Sequence, residues 1–263
     1  MYNFEYQKAQ SVADAAKALG NEEAKLLAGG MTLIPTLKQR LAKPSDLIDL
    51  GGIAELKGIK RDGSAVVIGA MTRHVEVATS DVVKTAIPAL AHLAEMIGDP
   101  QVRNRGTIGG SIANNDPAAD YPAAVLGLNA TVITNKRKIA ADDFFKGMFE
   151  TALAPDEIIT AVSFPVAEKA GYAKFRNPAS RYAIVGVMAA RTAGTVRVAV
   201  TGAGAVVFRQ KDMEAALGKS WTPDAVANIK QSASGLNSDI HASAEYRAHL
   251  VTVMAKRAVA AAE

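Results

Sequence analysis

The N-terminal half of the chain alternates helical and strand-like patterns. A first helix is predicted over residues 11–19, with Ser11 as its N-cap, Gly20 as its stop, and one apolar face formed by Val12, Ala15, Ala16 and Leu19. Further helical patterns cover residues 74–97, with a break at Pro88, and residues 121–128. Residues 32–41 form either a helix start or an irregular turn, because Pro35 stands near their beginning.

Short apolar runs bounded by turn residues predict strands between these helices. The runs cover residues 25–28, 47–50, 130–134, 139–141 and 157–164. Residues 56–60 and 65–69 predict a hairpin that turns at Asp62 and Gly63.

The last third of the chain has a different pattern. Residues 172–176, 183–192 and 196–200 alternate as antiparallel strands do, and the last two of these turn at Ala193 and Gly194. Alanine-rich helical patterns follow over residues 213–217, 223–232 and 243–262. The change after Pro165 predicts two domains, one over residues 1–165 and the other over residues 166–263.

Composition narrows the chemistry that this chain can perform. Its 263 residues include no cysteine, which excludes disulfides, thiolate zinc sites and cysteine-held iron–sulfur clusters. Aromatic residues make up 5% and the net charge is +4 without a long basic run, which favours an anionic ligand or an acidic partner over nucleic acid. No secretory signal and no membrane span are visible, so we expect a cytoplasmic protein.

Several catalytic signatures are missing from the sequence. No P-loop motif occurs, and Gly202-Ala203-Gly204 lacks the third glycine of a dinucleotide-binding fold. Residues 109–113 end in alanine where the nucleophile elbow of hydrolases needs glycine. The four histidines lie far apart and none forms a His-Glu-x-x-His helix, which favours packed or surface roles. We therefore expect no catalytic acid or base and no metal site.

Two segments with paired glycines remain, and we call residues 26–35 the first glycine segment and residues 106–117 the second. The glycines are Gly29, Gly30, Gly109 and Gly110, and the nearby hydroxyls belong to Thr32, Thr107 and Ser111. Paired glycines let the backbone turn with its amide groups facing one concavity, which suits phosphate. One pair alone is more often a plain turn. Two such segments brought together would hold a dinucleotide-like diphosphate from opposite sides.

Charged residues flank both segments. Lys38 and Arg40 follow the first, and Arg103 and Arg105 precede the second, where they either offset the charge of a diphosphate or are simply solvated. Asp120 would repel phosphate and instead suits ribose or ribityl hydroxyls; the alternative role is a cap for the helix over residues 121–128.

Residues 27–35 (Leu-Ala-Gly-Gly-Met-Thr-Leu-Ile-Pro) and 107–120 (Thr-Ile-Gly-Gly-Ser-Ile-Ala-Asn-Asn-Asp-Pro-Ala-Ala-Asp) together resemble the FAD-binding medium subunit of molybdenum hydroxylases. That family includes carbon monoxide dehydrogenase and the flavin portion of xanthine dehydrogenase. The likeness covers nearly the whole chain. It implies an α+β protein with a two-subdomain FAD-binding fold of the vanillyl-alcohol oxidase type, followed by a C-terminal antiparallel sheet with a helical bundle.

The resemblance also implies which residues bind FAD. The glycine segments would contribute Leu27, Ala28, Gly29, Gly30, Met31, Thr32, Leu33, Thr107, Ile108, Gly109, Gly110, Ser111 and Asn114. Asp120 would contact FAD hydroxyls, and Lys174 would be a polar contact near the flavin. Tyr182 would be an aromatic lid on the isoalloxazine, although a packed strand residue is an equal alternative. Ser111 and residues 177–179 depart from the commoner family pattern.

The function implied by the resemblance is electron transfer through noncovalently bound FAD. Electrons would come from iron–sulfur centres of a partner and leave to an external acceptor. The partners would be a molybdenum-cofactor large subunit and an iron–sulfur small subunit, arranged as a dimer of heterotrimers. Two alternatives stay open: a self-sufficient flavin oxidoreductase that acts on a small organic substrate, and a noncatalytic ligand-binding module.

Overall fold

The computed structural model of the chain describes residues 1–262. Over this range the chain forms three sheets, each with its own helices, and a separate two-stranded hairpin. The helices of residues 1–262 include none with the length and apolarity of a membrane span.

The first subdomain is a small parallel sheet with two helices. Its elements are β1 (Glu5–Lys8), α1 (Val12–Ala18), β2 (Lys25–Leu27), α2 (Leu33–Lys38) and β3 (Asp46–Asp49), with the strand order β1-β3-β2. The predicted cap is confirmed, because the Ser11 hydroxyl accepts a hydrogen bond from the Asp14 amide. Ile48, Ile53 and Leu56 are buried and form the centre of this subdomain's core. Leu56 belongs to a 3-10 turn, Ala54–Leu56, and not to the predicted strand.

The second subdomain is an antiparallel sheet covered by short helices. Its elements are β4 (Ile59–Asp62), β5 (Ala65–Gly69), α3 (His74–Thr79), α4 (Asp81–Ala86), α5 (Pro88–Glu95), α6 (Pro100–Arg105), α7 (Ile108–Asn114), α8 (Tyr121–Gly127), β6 (Thr131–Thr134), β7 (Lys138–Ala140), α9 (Ala141–Phe144), β8 (Phe145–Gly147), β9 (Glu150–Thr151) and β10 (Ile159–Pro165). The strand order is β4-β5-β10-β6-β7, and β8 pairs with β9 alone. Val162 in the central strand β10 lies between Ile68 and Val132, and all three are fully buried.

The C-terminal region is a second antiparallel sheet with three helices. Its elements are β11 (Lys169–Arg176), β12 (Ala183–Thr192), β13 (Thr195–Thr201), β14 (Phe208–Arg209), α10 (Lys211–Lys219), α11 (Pro223–Val226) and α12 (Ala244–Ala260), with the strands in sequence order. The turn predicted at Ala193 and Gly194 is confirmed, with φ of 47° and 75°. The helix predicted over residues 223–232 ends early, at Val226.

Strand β12 connects the core of the second subdomain with the core of the C-terminal region. Val185, Val187 and Ala189 face the core shared with α12, whereas the alternate residues Met188 and Ala190 face the core of the second subdomain. The C-terminal sheet is therefore buried on both faces. This packing fixes the position of the loop between β11 and β12, residues 177–182, relative to the N-terminal subdomains.

Candidate functional site

A cavity of about 620 Å³ lies between the two N-terminal subdomains. Residues of both glycine segments line it, and Ser180, Arg181 and Tyr182 from the loop between β11 and β12 contribute to its wall. Its volume lies within the range of pockets that hold small-molecule ligands and cofactors. The cavity therefore brings together residues that are far apart in the sequence.

The first glycine segment presents free backbone donors at this cavity. Within residues 1–262, the amide N–H groups of residues 29–33 have no hydrogen-bond partner in the chain, and we call these five groups the amide cradle. Gly30 has φ of +74°, a conformation that favours glycine. A Cβ atom on Gly29 would collide with the carbonyl oxygen of Arg105. Both glycines are thus required by the backbone path that exposes the amide cradle.

The second glycine segment is not the open turn that its glycines predict. It forms the first turn of α7, which Thr107 caps by accepting a 3.1 Å hydrogen bond from the Gly110 amide. The amides of Ile108 and Gly109 donate to backbone carbonyls of the neighbouring segment 70–72. The expected concavity of free amides in this segment is therefore wrong, because these donors are already used by the fold.

The second glycine segment instead contributes side chains and close packing. Ser111 and Asn114 line the cavity, and neither side chain has a hydrogen-bond partner among residues 1–262. A Cβ on Gly110 would lie 3.5 Å from the Cβ of Ala28, so the two glycine segments are adjacent, as expected. Free amides on one side and side-chain donors on the other fit the diphosphate of a dinucleotide.

Asp120 lines the cavity but is already engaged by the C-terminal sheet. Its carboxylate accepts a 2.5 Å hydrogen bond from the Tyr172 hydroxyl and is paired with the Lys174 ammonium at 2.9 Å. Burial raises the pKa of Asp120, while Lys174 and Tyr172 act in the opposite direction. The alternative role as a side-chain cap of α8 is excluded, because Asp120 makes no capping hydrogen bond. The remaining lone pairs of the carboxylate are free to accept from ligand hydroxyls.

Tyr182 stands at the cavity rim rather than in the core. It precedes β12 and is 43% exposed, so the alternative of a packed strand residue is wrong. Burial and the carboxylates of Asp116 and Asp120 raise the pKa of its phenol. Tyr182 therefore lines the same cavity as Thr32 of the first glycine segment.

Some residues expected at the site are elsewhere. Leu27, Ile108 and Lys174 do not line the cavity: Ile108 is in the core, and the Lys174 ammonium lies behind Asp120, where it also donates to the Met96 carbonyl at 2.9 Å. The structure therefore does not support the expected polar contact of Lys174 near the flavin. The four flanking basic residues are also absent from the cavity wall: Lys38, Arg40, Arg103 and Arg105. A direct role for them in offsetting a diphosphate charge is therefore not supported.

Other cavity residues were not predicted from the sequence. Phe149 at the tip of the β8–β9 hairpin, the buried His74 and much of residues 153–159 line the cavity. Within the last segment, Glu157 accepts two 2.9 Å hydrogen bonds from Arg137. These bonds, with those from the Ala154 amide and the Thr134 hydroxyl, lower the pKa of Glu157 to about 2. No local motif marks these residues, because each depends on contacts between distant parts of the chain.

Family models match the chain over almost its full length. Residues 2–167 match the "FAD binding domain in molybdopterin dehydrogenase", and residues 170–262 match the "CO dehydrogenase flavoprotein C-terminal domain". The chain is 37% identical to the carbon monoxide dehydrogenase medium chain of Hydrogenophaga pseudoflava, with 98% of this chain and 96% of that one covered. It is 38% identical to the nicotine 6-hydroxylase medium subunit of Paenarthrobacter nicotinovorans, with 97% and 95% covered.

Solved structures agree with these matches. Carbon monoxide dehydrogenase from Hydrogenophaga pseudoflava superimposes with a TM-score of 0.88 at 38% identity, covering 99% of this chain and 97% of that one. Quinoline 2-oxidoreductase from Pseudomonas putida 86 gives a TM-score of 0.89 at 28% identity, covering 98% and 96%. The predicted fold class, an FAD-binding region followed by an antiparallel sheet with helices, is confirmed. With its cavity, its amide cradle and these matches, the chain belongs to the family of FAD-binding medium subunits of molybdenum hydroxylases, and it is an oxidoreductase component whose cofactor is FAD.

Proposed function

We propose that this chain binds FAD in the 620 Å³ cavity and uses it to pass electrons from a partner subunit to an external acceptor. The observation that carries the proposal is the amide cradle of residues 29–33, which opens on a cavity walled by both glycine segments. When bound, FAD supplies the redox chemistry, and the protein holds and orients it.

The lining residues divide the cavity into parts of different chemistry. The amide cradle and the Ser111 and Asn114 side chains would hold the diphosphate, and Asp120 would accept hydrogen bonds from ribityl or ribose hydroxyls. Apolar residues such as Ile97 and Leu153 also line the cavity and would shield a flavin ring from water. Tyr182 would cover the ring from the C-terminal side.

The two buried carboxylates at the cavity, Glu157 and Asp120, support electron transfer rather than substrate oxidation by this chain alone. Glu157 is held ionised by Arg137, and Asp120 is paired with Lys174. A general base must be able to reach and take a substrate proton. These two carboxylates are held by cations of the protein's own structure, which disfavours the self-sufficient oxidoreductase.

The partners in this proposal are those of the relatives. The matched relatives are named as medium chains and medium subunits, which are components of larger enzymes. We propose that this chain assembles with a molybdenum-cofactor large subunit and an iron–sulfur small subunit, as a dimer of heterotrimers in the cytoplasm. Because the chain contains no cysteine, the iron–sulfur centres of this assembly would belong to another subunit.

The test is to purify the chain alone and again with its co-expressed partner subunits. The isolated chain should retain FAD and should not oxidise the substrate of the complex, whereas the complex should reduce an added electron acceptor. A complex that carries Gly29→Ala should lose FAD and acceptor reduction, and Gly218→Ala, where a Cβ meets no neighbouring atom, is the matched control. Substrate oxidation by the isolated chain would instead establish the self-sufficient alternative.

A further inference from the structure

A buried imidazole stands where the two glycine segments meet. His74 is the first residue of α3, is only 4% exposed, and lines the cavity. Its backbone amide donates a 3.0 Å hydrogen bond to the Gly106 carbonyl of the second glycine segment. Gly29 of the first glycine segment packs against the same Gly106. At the junction, Gly106 thus lies between His74 and Gly29 and contacts both.

The ring is oriented with Nε2 toward this junction. A Cβ on Gly106 would lie 2.5 Å from His74 Nε2, so glycine is required there to leave room for the imidazole. The other ring nitrogen, Nδ1, is buried without a hydrogen-bond partner among residues 1–262. On one side, the ring packs against Tyr121, with the two ring centroids 5.3 Å apart.

The imidazole is neutral at physiological pH. Burial, together with the nearby positive charge of Arg103, lowers the pKa of His74 to about 4. A neutral imidazole carries one N–H donor and one acceptor nitrogen. Nε2 also has no hydrogen-bond partner among residues 1–262, and unlike Nδ1 it is not fully enclosed, so Nε2 is the ring nitrogen that can reach a ligand in the cavity.

We propose that His74 is a cofactor-binding residue that donates a hydrogen bond from Nε2 to a phosphate oxygen of FAD, beside the amide cradle. The inference rests on the proposed position of the diphosphate and adds a side-chain donor that the glycine motifs do not contain.

The test measures which part of the cofactor loses affinity when the imidazole is removed. Flavin-free full-length chain is prepared as wild type, His74→Ala, His74→Gln and the control His92→Ala, which lies on an exposed position of α5. Dissociation constants are measured by calorimetry for FAD, ADP and riboflavin. We expect His74→Ala to weaken FAD and ADP by roughly 10- to 100-fold, the usual value of a hydrogen bond to a charged group. Riboflavin binding should change by less than about twofold, and His74→Gln should recover part of the loss because it keeps an N–H donor.

Two results would overturn the proposal. Unchanged FAD and ADP affinity in His74→Ala would show that no contact exists, and an equal loss for riboflavin and FAD would show a packing role. If the variants fail to fold, wild-type chain with ¹⁵N-labelled histidine gives the answer: ADP should shift the His74 Nε2 resonance and riboflavin should not. Absence of a shift with ADP contradicts the proposal. These binding measurements do not depend on electron transfer, so they can fail while the proposed function holds. Gly29→Ala tests the amide cradle separately from His74.

Discussion

Replacing Lys174 with methionine removes one charge of a buried pair that joins the two halves of the molecule. Lys174 lies in β11 and has a fully buried side chain, and its partner Asp120 lies at the start of α8. In Lys174→Met, the Asp120 carboxylate keeps only the Tyr172 hydroxyl, and the Met96 carbonyl loses its donor.

The expected cost follows from leaving a charge buried without its partner. Breaking such a pair from one side destabilises a protein by about 3–5 kcal/mol. For a chain of this size, that corresponds to a fall in melting temperature of roughly 6–20 °C. The exposed pair Lys136–Asp156, with side chains 43% and 49% exposed, is the control, and Lys136→Met should leave the denaturant midpoint nearly unchanged.

The assay is denaturant unfolding of the full chain at pH 8 and pH 5. Burial already raises the pKa of Asp120, and loss of Lys174 raises it further. An acid whose pKa is higher in the folded state gains stability as the pH falls. The deficit of Lys174→Met should therefore be smaller at pH 5 than at pH 8, and Asp120→Asn combined with Lys174→Met should recover at least half of it. Wild-type stability of Lys174→Met at both pH values would refute the reasoning.

Three further predictions concern the walls of the cavity. Arg137→Met should lower the free energy of unfolding at neutral pH, because Glu157 loses two hydrogen bonds from the guanidinium. The pKa of Glu157 is lowered from 4.5 to about 2, and Arg137 is the largest cause, ahead of the Ala154 amide and the Thr134 hydroxyl. Urea unfolding should therefore show that the wild type loses this stabilisation as the pH falls from 4.5 toward 2, and that Arg137→Met loses less of it; equal acid sensitivity of the variant would contradict this. Asn115→Ala removes two hydrogen bonds to the β8–β9 hairpin and should raise the rate of limited proteolysis within residues 145–151 about tenfold. An unchanged cleavage rate would show that these two hydrogen bonds do not hold the hairpin in place. Tyr182→Ala should increase iodide quenching of bound flavin while shifting the unfolding free energy by less than about 0.5 kcal/mol, and unaltered quenching would argue against a lid.

Local patterns in the sequence predict most of the regular structure. The helix capped by Ser11 and the hairpin that turns at Asp62 and Gly63 follow from residues adjacent in the chain, and both are confirmed. The pattern over residues 74–97 is helical as predicted, but it forms three short helices, α3, α4 and α5, in place of one interrupted helix. Ser80 accounts for one break, because it ends α3 and caps α4 with its hydroxyl.

The second glycine segment shows where local reasoning fails. Glycines disfavour helix, so Gly109 and Gly110 predict a turn. The structure contains α7 at this position because backbone carbonyls of residues 70–72 hold its first amides, and because a Cβ on Gly109 would lie 2.6 Å from that of Ala70. Tertiary packing thus overrides propensity.

The sequence predicted those parts of the candidate site that belong to a local motif, the two glycine segments. The amide cradle lies within the first glycine segment. The two segments were expected to be adjacent because both contain paired glycines and hydroxyl residues. His74 and Glu157 had no such signal, since an isolated histidine or glutamate is usually a surface residue. Lys174 was assigned to the flavin by resemblance, and only its distance to Asp120 reveals that it acts through that carboxylate.

The most direct test of the account is FAD binding by the flavin-free chain with and without its amide cradle. Isothermal titration should give one FAD per chain for the wild type and for the control Gly218→Ala. Gly29→Ala, whose new Cβ would collide with the Arg105 carbonyl, should weaken FAD by at least about tenfold, because the backbone that exposes the cradle has to move. Equal FAD affinity of Gly29→Ala and the wild type would contradict the assignment of this cavity as the flavin site.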